Sequence, residues 1–294
     1  MGVSTKEIVT GRKTFFIVPD TTLIPEIYLE DFFSLGYECY YIEYDKRLNI
    51  SKKIDIIISL FHDVIIFFNI DYNLPNIQWP DFIKNICNSY DNRTSLGVLY
   101  TKRQSKEDKA KIEQKYLFEL GLNCGCVQLE YQKKQNFEII EKLLYANQAQ
   151  GRRKTIRALC TSSCTFSCTY QGNLYNGTLQ DISLSHFSLV SQEANMPVKL
   201  YEKITDFHFN IRGFMFRSDA VLIMDRPISG FRLLIFAFVS SNGANGLDQR
   251  VKQLLVPNLY KLMASNLKNL LDQVYNRVGD NYDIGELQEI PEDK

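Results

Sequence analysis

Four positive charges lie within six residues near the middle of the chain, on Arg152, Arg153, Lys154 and Arg157. An arginine side chain presents a planar fork of N–H donors that binds a phosphate, or O6 and N7 of guanine, through paired hydrogen bonds, and its plane can stack on a purine. Runs of basic residues also occur as solvated linkers and as nucleic-acid-binding arms. The run therefore predicts either an anion-binding segment or a solvated linker, and the neighbouring residues decide between them.

A second polar group follows in the segment Asp181-Ile182-Ser183-Leu184-Ser185-His186. This segment closes a predicted strand, Tyr175–Ser183, and residues two apart on a strand face the same side, so Asp181 and Ser183 should project together. A carboxylate and a hydroxyl can accept hydrogen bonds from guanine N1–H and N2–H, or can hold arginine side chains in place. The segment thus predicts acceptors that complement the basic run.

The first half of the sequence alternates apolar runs of strand length with amphipathic stretches of helix length. The predicted strands are Lys13–Val18, Cys39–Tyr44, Val64–Ile70, Leu96–Thr101 and Cys126–Tyr131. The predicted helices are Thr22–Leu35, Ser51–Phe61, Trp79–Ser89, Lys106–Leu120 and Asn136–Ala149. Because such alternation is typical of a doubly wound parallel sheet, we assign an α/β domain of this class to residues 1–149.

The second half lacks helices between its apolar runs and is punctuated by turn residues such as Asn176-Gly177 and Arg212-Gly213. Its predicted strands are Ile156–Tyr170, Tyr175–Ser183, Phe187–Ser191, Asp206–Ile211, Phe214–Met224 and Phe231–Ser240. Six consecutive strands favour a small antiparallel barrel, here residues 150–246. Residues 247–294 are predicted to be a C-terminal helix, Leu247–Val278, and an acidic tail.

The two polar segments together resemble the PilZ family of cyclic di-GMP receptors. Arg153 and Arg157 match the family's R-x-x-x-R motif, and Asp181 and Ser183 match its [DN]-x-S-x-x-G motif. The resemblance covers roughly residues 150–253, and it implies a six-stranded barrel with a trailing helix. It also implies that the arginines, with Arg152 as an additional phosphate or stacking contact, bind cyclic di-GMP together with Asp181 and Ser183.

The PilZ resemblance departs from the family at one position, where His186 stands in place of the motif's glycine. A glycine there suggests close backbone approach or a positive φ, and a histidine would crowd the first and strain the second. A histidine could instead stack on a base. We therefore include His186 among the candidate ligand-binding residues.

The first half resembles a response-regulator receiver domain, in a degenerate form. Asp20 ends the first predicted strand, where such domains carry a pair of acids for magnesium, and Asp71-Tyr72-Asn73-Leu74-Pro75 resembles the phosphoacceptor run. Thr101 matches the family's hydroxyl position, but the expected lysine falls near Gln132. Phosphoryl transfer to an aspartate needs a metal and a lysine. The resemblance therefore implies a scaffold used for contacts, with phosphorylation of Asp71 as the alternative.

The composition restricts the remaining function classes. The formal net charge is +0, so the chain has no overall electrostatic attraction for a nucleic-acid polymer or an anionic membrane. No apolar run approaches the roughly 20 residues that cross a bilayer, and the N-terminal segment lacks the apolar centre of a secretory signal, which favours a cytoplasmic protein. Ser162 and Ser163 lack the G-x-S-x-G context of a nucleophile, so we expect no enzyme activity.

The cysteines are expected to be reduced thiols, because there are seven of them and no secretory signal. Cys160, Cys164 and Cys168 are spaced by four, which on a single strand would place all three on one face as buried, small apolar side chains. No histidine or carboxylate lies between them, so no metal site and no cofactor are predicted.

The sequence thus predicts a non-catalytic signalling adaptor for a bacterial second messenger. Cyclic di-GMP would bind the arginines of the linker and the barrel, order that linker and change the arrangement of the domains. The chain would also bind a protein partner, whose identity the sequence does not specify. The alternatives are a protein-interaction module that binds no ligand, and a regulator phosphorylated at Asp71.

Overall fold

The computed structural model describes residues 11–61, 63–90, 94–101, 105–192, 196–228 and 230–278. The described chain forms two compact units. The first contains the residues up to Lys154 together with those from Lys268 onward, and the second is Thr155–Leu267. In the described ranges, no helix is long and apolar enough to cross a membrane.

The first unit contains a parallel sheet of five strands in the order β2-β1-β3-β4-β5. The strands are β1 Thr14–Ile17, β2 Cys39–Ile42, β3 Val64–Asn69, β4 Thr94–Thr101 and β5 Cys126–Leu129. Every residue of β1 and β3 is buried, as expected for central strands of a sheet covered on both faces. The predicted parallel α/β sheet is thus confirmed. The doubly wound arrangement and the likeness to receiver domains stay predictions.

Five helices connect and follow these strands. They are α1 Glu26–Leu35, α2 Ile50–Leu60, α3 Trp79–Ser89, α4 Lys106–Glu113, which continues as the π-helical turn Gln114–Glu119, and α5 Lys133–Ala146. The first helix begins at Glu26 rather than at the predicted Thr22. The reason is that the Oδ1 atom of Asp20 accepts hydrogen bonds from the backbone N–H and hydroxyl of Thr22, at 2.9 and 2.6 Å, which folds the preceding residues into a turn.

The second unit is a curled antiparallel sheet of eight strands, in the order β6-β9-β10-β13-β12-β11-β7-β8. The strands are β6 Ala158–Leu159, β7 Cys164–Tyr170, β8 Asn173–Thr178, β9 Asp181–Ile182, β10 His186–Gln192, β11 Lys203–Ile211, β12 Phe214–Ile228 and β13 Phe231–Val239. The predicted number of six strands was wrong, because the first two predicted strands each divide in two. The predicted strand Ile156–Tyr170 is interrupted by a turn in which the backbone N–H of Cys164 donates to the carbonyl of Thr161. The predicted strand Tyr175–Ser183 changes its pairing partners at Leu179 and Gln180.

The pair Leu179 and Gln180 closes the curled sheet. The N–H of Leu179 donates to the carbonyl of Cys164 on β7, and the N–H of Gln180 donates to the carbonyl of Ser188 on β10. These two acceptors belong to strands near opposite ends of the strand order. These two adjacent residues therefore link β7 to β10, and their hydrogen bonds pair backbone groups that an open sheet edge would leave unpaired.

The core of the second unit is aromatic. Phe187 is fully buried, and its ring contacts four others, with centroid distances between 4.9 and 5.2 Å. Those rings belong to Phe207, Phe209, Phe236 and Phe238. The last helix, α6 Gln249–Val278, adds the buried side chains of Leu255, Leu259 and Leu262. On both β11 and β13, two phenylalanines spaced two residues apart thus lie on the buried face of the strand.

Replacing Phe187 with alanine should destabilise the second unit by about 3–5 kcal/mol, because the change removes a buried ring and leaves a cavity among four aromatic neighbours. Hydrogen exchange of the backbone amides in β10 and β13 measures this loss directly. The control is Leu174→Ala on β8, where the side chain is 68% exposed, and its effect should stay within about 0.5 kcal/mol. Equal effects of the two substitutions would contradict the assignment of the core.

Candidate functional site

Arg157 and Asp181 form an ion pair beside the closure of the curled sheet. The Nη1 atom of Arg157 lies 3.9 Å from Oδ1 of Asp181, and their side chains are 30% and 17% exposed. Asp181 is held in register between Leu159 of β6 and Ser188 of β10. A pair at this separation is loose, so the guanidinium can reorient toward an incoming phosphate or base while the carboxylate stays fixed by the sheet.

Ser183 organises the turn between β9 and β10. Its side chain is 1% exposed, and its Oγ atom accepts hydrogen bonds from the N–H groups of His186 and Ser185, at 3.0 and 3.3 Å. The hydroxyl also donates to the carbonyl of His186 at 3.1 Å, and the backbone N–H of Ser183 donates to the same carbonyl at 2.8 Å. Ser183 thus fixes the loop that carries its neighbours, and its direct contact with a ligand stays a prediction.

His186 is the first residue of β10 and pairs with Ala237 of β13. Its φ is not positive, so the strain expected from a histidine at a glycine position does not arise. The Nδ1 atom of the ring lies 2.7 Å from the hydroxyl of Ser185. Burial lowers the pKa of His186 below 6.5, the nearby charge of Arg157 lowers it further, and Asp181 acts in the opposite direction. The ring is therefore mostly neutral at neutral pH.

Two further hydroxyl residues, Thr155 and Ser185, join this cluster. The Oγ1 atom of Thr155 lies 2.8 Å from the Oγ atom of Ser185, which in turn lies 3.4 Å from Oγ of Ser183. Thr155 stands inside the R-x-x-x-R segment, and Ser185 stands between Ser183 and His186. Their positions next to motif residues were visible in the sequence, but the contact between the two segments depends on the fold.

Arg152 and Arg153 belong to the end of the first unit, and both side chains are exposed. The segment just before them is anchored within that unit, because Gln150 donates from Nε2 to the carbonyl of Leu35 at 2.7 Å and forms an isolated β-bridge with Gly11. Arg157, four residues after Arg153, belongs to the second unit. The joint use of these arginines by one ligand stays a prediction.

Asp71 and Thr101 are in contact in the first unit. The Oδ2 atom of Asp71 accepts hydrogen bonds from the backbone N–H and the hydroxyl of Thr101, both at 2.7 Å. Asp20 is hydrogen-bonded to Thr22, within its own turn. Within the described ranges, no cluster of three or more histidine, cysteine, aspartate or glutamate side chains could hold a metal ion. The observed contacts of Asp71 are those of a carboxylate that links the ends of two neighbouring strands.

Comparisons with known proteins found remote structural similarity. No protein-family model and no curated protein matches the sequence. Among solved structures, the chain is similar to YcgR in complex with c-di-GMP from Escherichia coli, with 17% identity over 42% of this chain and 51% of that chain and a TM-score of 0.34.

Two further structures show similar values. The PilZ domain with c-di-GMP of YcgR from Escherichia coli has 15% identity over 42% of this chain and 98% of that chain, with a TM-score of 0.34. The K. pneumonia MrkH–c-di-GMP complex has 12% identity over 44% of this chain and 57% of that chain, with a TM-score of 0.31. The chain thus spans about half the length of full YcgR. Support for a function must therefore come from its own residues.

Proposed function

We propose that this chain is a non-catalytic, cytoplasmic signalling adaptor that binds cyclic di-GMP through a PilZ-like second unit. The observation that carries the proposal is the ion pair between Arg157 and Asp181, which the sheet holds next to the turn organised by Ser183. This pair joins one residue from each of the two motifs that were predicted to act together. Its partial exposure leaves both charged groups accessible to a ligand.

The chemistry of cyclic di-GMP matches these groups. The ligand offers two phosphates and two guanines, and an arginine can bind either a phosphate or the O6 and N7 edge of guanine through paired hydrogen bonds. In this proposal, Arg153 and Arg157 bind phosphate or guanine, and Arg152 adds a phosphate or stacking contact. Asp181 accepts hydrogen bonds from guanine N1–H and N2–H. His186 adds a ring beside Arg157, close enough for their charges to interact.

The charge distribution of the second unit favours a small anion over a nucleic-acid polymer. Three basic residues on its long strands already form ion pairs with carboxylates, at N···O distances between 2.5 and 3.7 Å. These pairs are Lys203 with Asp219, Arg217 with Asp206, and Arg232 with Asp225. Since paired charges attract polyanions weakly, an anionic ligand is best accommodated at the local arginine cluster.

The proposed signal is a change in the segment that joins the two units. Arg152 and Arg153 stand immediately before the unit boundary at Thr155, and Arg157 stands just after it. A ligand that binds arginines on both sides would order this segment, and would favour whichever arrangement of the units it binds more tightly. The receiver-like first unit would then present a surface to a protein partner. A protein-interaction module that binds no nucleotide is the competing proposal.

Replacing Arg157 with alanine, alone or together with Arg153→Ala, should weaken cyclic di-GMP binding at least about 30-fold. The reason is that removing one member of a charged pair in a binding site typically costs about 2–5 kcal/mol. Isothermal titration calorimetry on the full chain measures the affinity. Arg217→Ala is the matched control, since this arginine is 69% exposed on β12 and pairs with Asp206, so its loss should leave the affinity unchanged.

The outcomes of this titration separate the two proposals. Absence of binding heat for the wild-type chain at micromolar ligand would exclude a receptor and favour the ligand-free module. Unchanged binding in the double arginine variant would show that the chain is a receptor but would exclude this site.

The affinity for cyclic di-GMP should rise as the pH falls through the ordinary pKa range of histidine. Burial and Arg157 depress the pKa of His186 in the free protein, and a bound phosphate beside Arg157 would raise it again, so binding takes up protons. Calorimetry at neutral and mildly acidic pH, in buffers of different ionisation enthalpy, measures this uptake. In His186→Gln the pH dependence should be lost, and its full retention would show that another group titrates.

Phosphorylation of Asp71 is the second candidate function, and the observation in its favour is the contact between Asp71 and Thr101. We expect the scaffold role to prevail, because Asp20 stands alone where receiver domains carry a pair of acids, and Gln132 stands near the position of the expected lysine. Treatment with acetyl phosphate and magnesium should therefore leave the intact mass unchanged. A phosphoryl adduct that disappears in Asp71→Asn would instead establish that the chain is a regulator phosphorylated at Asp71.

A further inference from the structure

Cys160 and Cys164 flank the short turn that separates β6 from β7. The spacing of Cys160, Cys164 and Cys168 predicted that all three lie on one strand face, and this prediction was wrong for Cys160. Only Cys164 and Cys168 lie on β7, where both are buried, while Cys160 precedes the turn and is partly exposed. The turn between them therefore connects a partly exposed thiol to a buried one.

Backbone hydrogen bonds hold the two cysteines close together. The N–H of Cys160 donates to the carbonyl of Gln180 at 3.0 Å, and the carbonyl of Cys164 accepts from the N–H of Leu179 at 2.9 Å. Both cysteines are thus anchored opposite adjacent residues of one segment. The turn between them is closed by a hydrogen bond from the N–H of Cys164 to the carbonyl of Thr161, at 2.9 Å. The backbones of the two cysteines are therefore held beside the same short segment, and a hydrogen bond joins their side chains.

The two side chains also interact directly. A hydrogen bond from Cys160 lowers the pKa of the Cys164 thiol to about 6, and the N–H and hydroxyl groups of the turn contribute further. The same hydrogen bond raises the pKa of Cys160, with burial and the charge of Asp181 acting in the same direction. These opposite shifts favour a thiolate on Cys164 and a protonated thiol on Cys160, which share that proton through their hydrogen bond.

We propose that Cys160 and Cys164 form a redox-reactive dithiol, which a low-molecular-weight disulfide such as oxidised glutathione converts into an intramolecular disulfide. The thiolate of Cys164 takes up the proton of Cys160 as the Cys160 sulfur attacks one sulfur of the reagent, and a mixed disulfide forms as one glutathione thiolate leaves. Cys164 then loses its proton to solvent and attacks the Cys160 sulfur, releasing the second glutathione thiolate. Two protein thiols are oxidised, and one glutathione disulfide is reduced to two thiols.

The burial of the two thiols determines the order of these steps. Cys160 is partly exposed, so it can meet the reagent, whereas Cys164 is 0% exposed and needs only to reach its neighbour. The five other thiols in the described ranges should react more slowly, and Cys168, which is 2% exposed on the same strand as Cys164, is the closest comparison. This dithiol is independent of the proposed nucleotide site, although Asp181 contributes to its electrostatics.

The test is disulfide mapping of the reduced full chain after incubation with oxidised glutathione. We expect a product lighter by two hydrogen atoms, with peptides joined through Cys160 and Cys164. Cys164→Ser should stop at one glutathionyl group on Cys160, and Cys160→Ser should block both products. Cys168→Ser is the matched control and should still form the disulfide.

The wild-type mapping decides the proposal even where a variant fails to fold. Recovery of Cys160 and Cys164 as free thiols, after other cysteines of the same chain have been oxidised, would overturn it. A disulfide from Cys160 to a different cysteine, or to a second chain, would overturn it as well.

Discussion

The hydrogen bonds of Leu179 and Gln180 are the constraint on which the second unit depends. These adjacent residues bond to β7 on one side and to β10 on the other, so the curled sheet is closed by two consecutive peptide groups. The next residue along the chain is Asp181, whose side chain pairs with Arg157. Closure of the sheet therefore sets the position of the carboxylate from which the candidate nucleotide site is built.

The same closure places other reactive groups nearby. The segment that bonds to both ends of the sheet also anchors Cys160 and Cys164, and the turn after Asp181 presents Ser183 and His186. These groups come from different segments of the chain. Backbone hydrogen bonds hold those segments together, so the side chains lose little conformational freedom in being placed side by side. One backbone feature thus accounts for the geometry of both the proposed ligand site and the proposed dithiol.

Local sequence patterns predicted the elements well where apolar periodicity was strong. The five strands of the parallel sheet were predicted within a few residues, because their apolar runs are long and bounded by polar residues. The division of Ile156–Tyr170 and Tyr175–Ser183 into four strands was missed, since a change of hydrogen-bonding partner leaves no periodic signal. The position of Cys160 outside β7 was missed as well, because uniform cysteine spacing suggested one continuous strand.

The candidate site could be predicted in part. Motif spacing identified Arg157 and Asp181, whose pairing the structure contains, while the hydroxyl cluster of Thr155 and Ser185 depends on a contact between distant segments. Nor could the sequence reveal that His186 adopts an unstrained φ, which is decided by its pairing in β10. Sequence patterns thus identify residue types at motif positions, and the fold determines which of them meet.

NMR chemical-shift mapping of the full chain measures directly whether cyclic di-GMP binds at the sheet closure. On addition of the ligand, we expect the largest shift changes in the backbone amides of residues 152–157 and 181–186, and in the side chain of Arg157. Shift changes concentrated in the parallel sheet of the first unit, or no changes at saturating ligand, would contradict binding at the sheet closure.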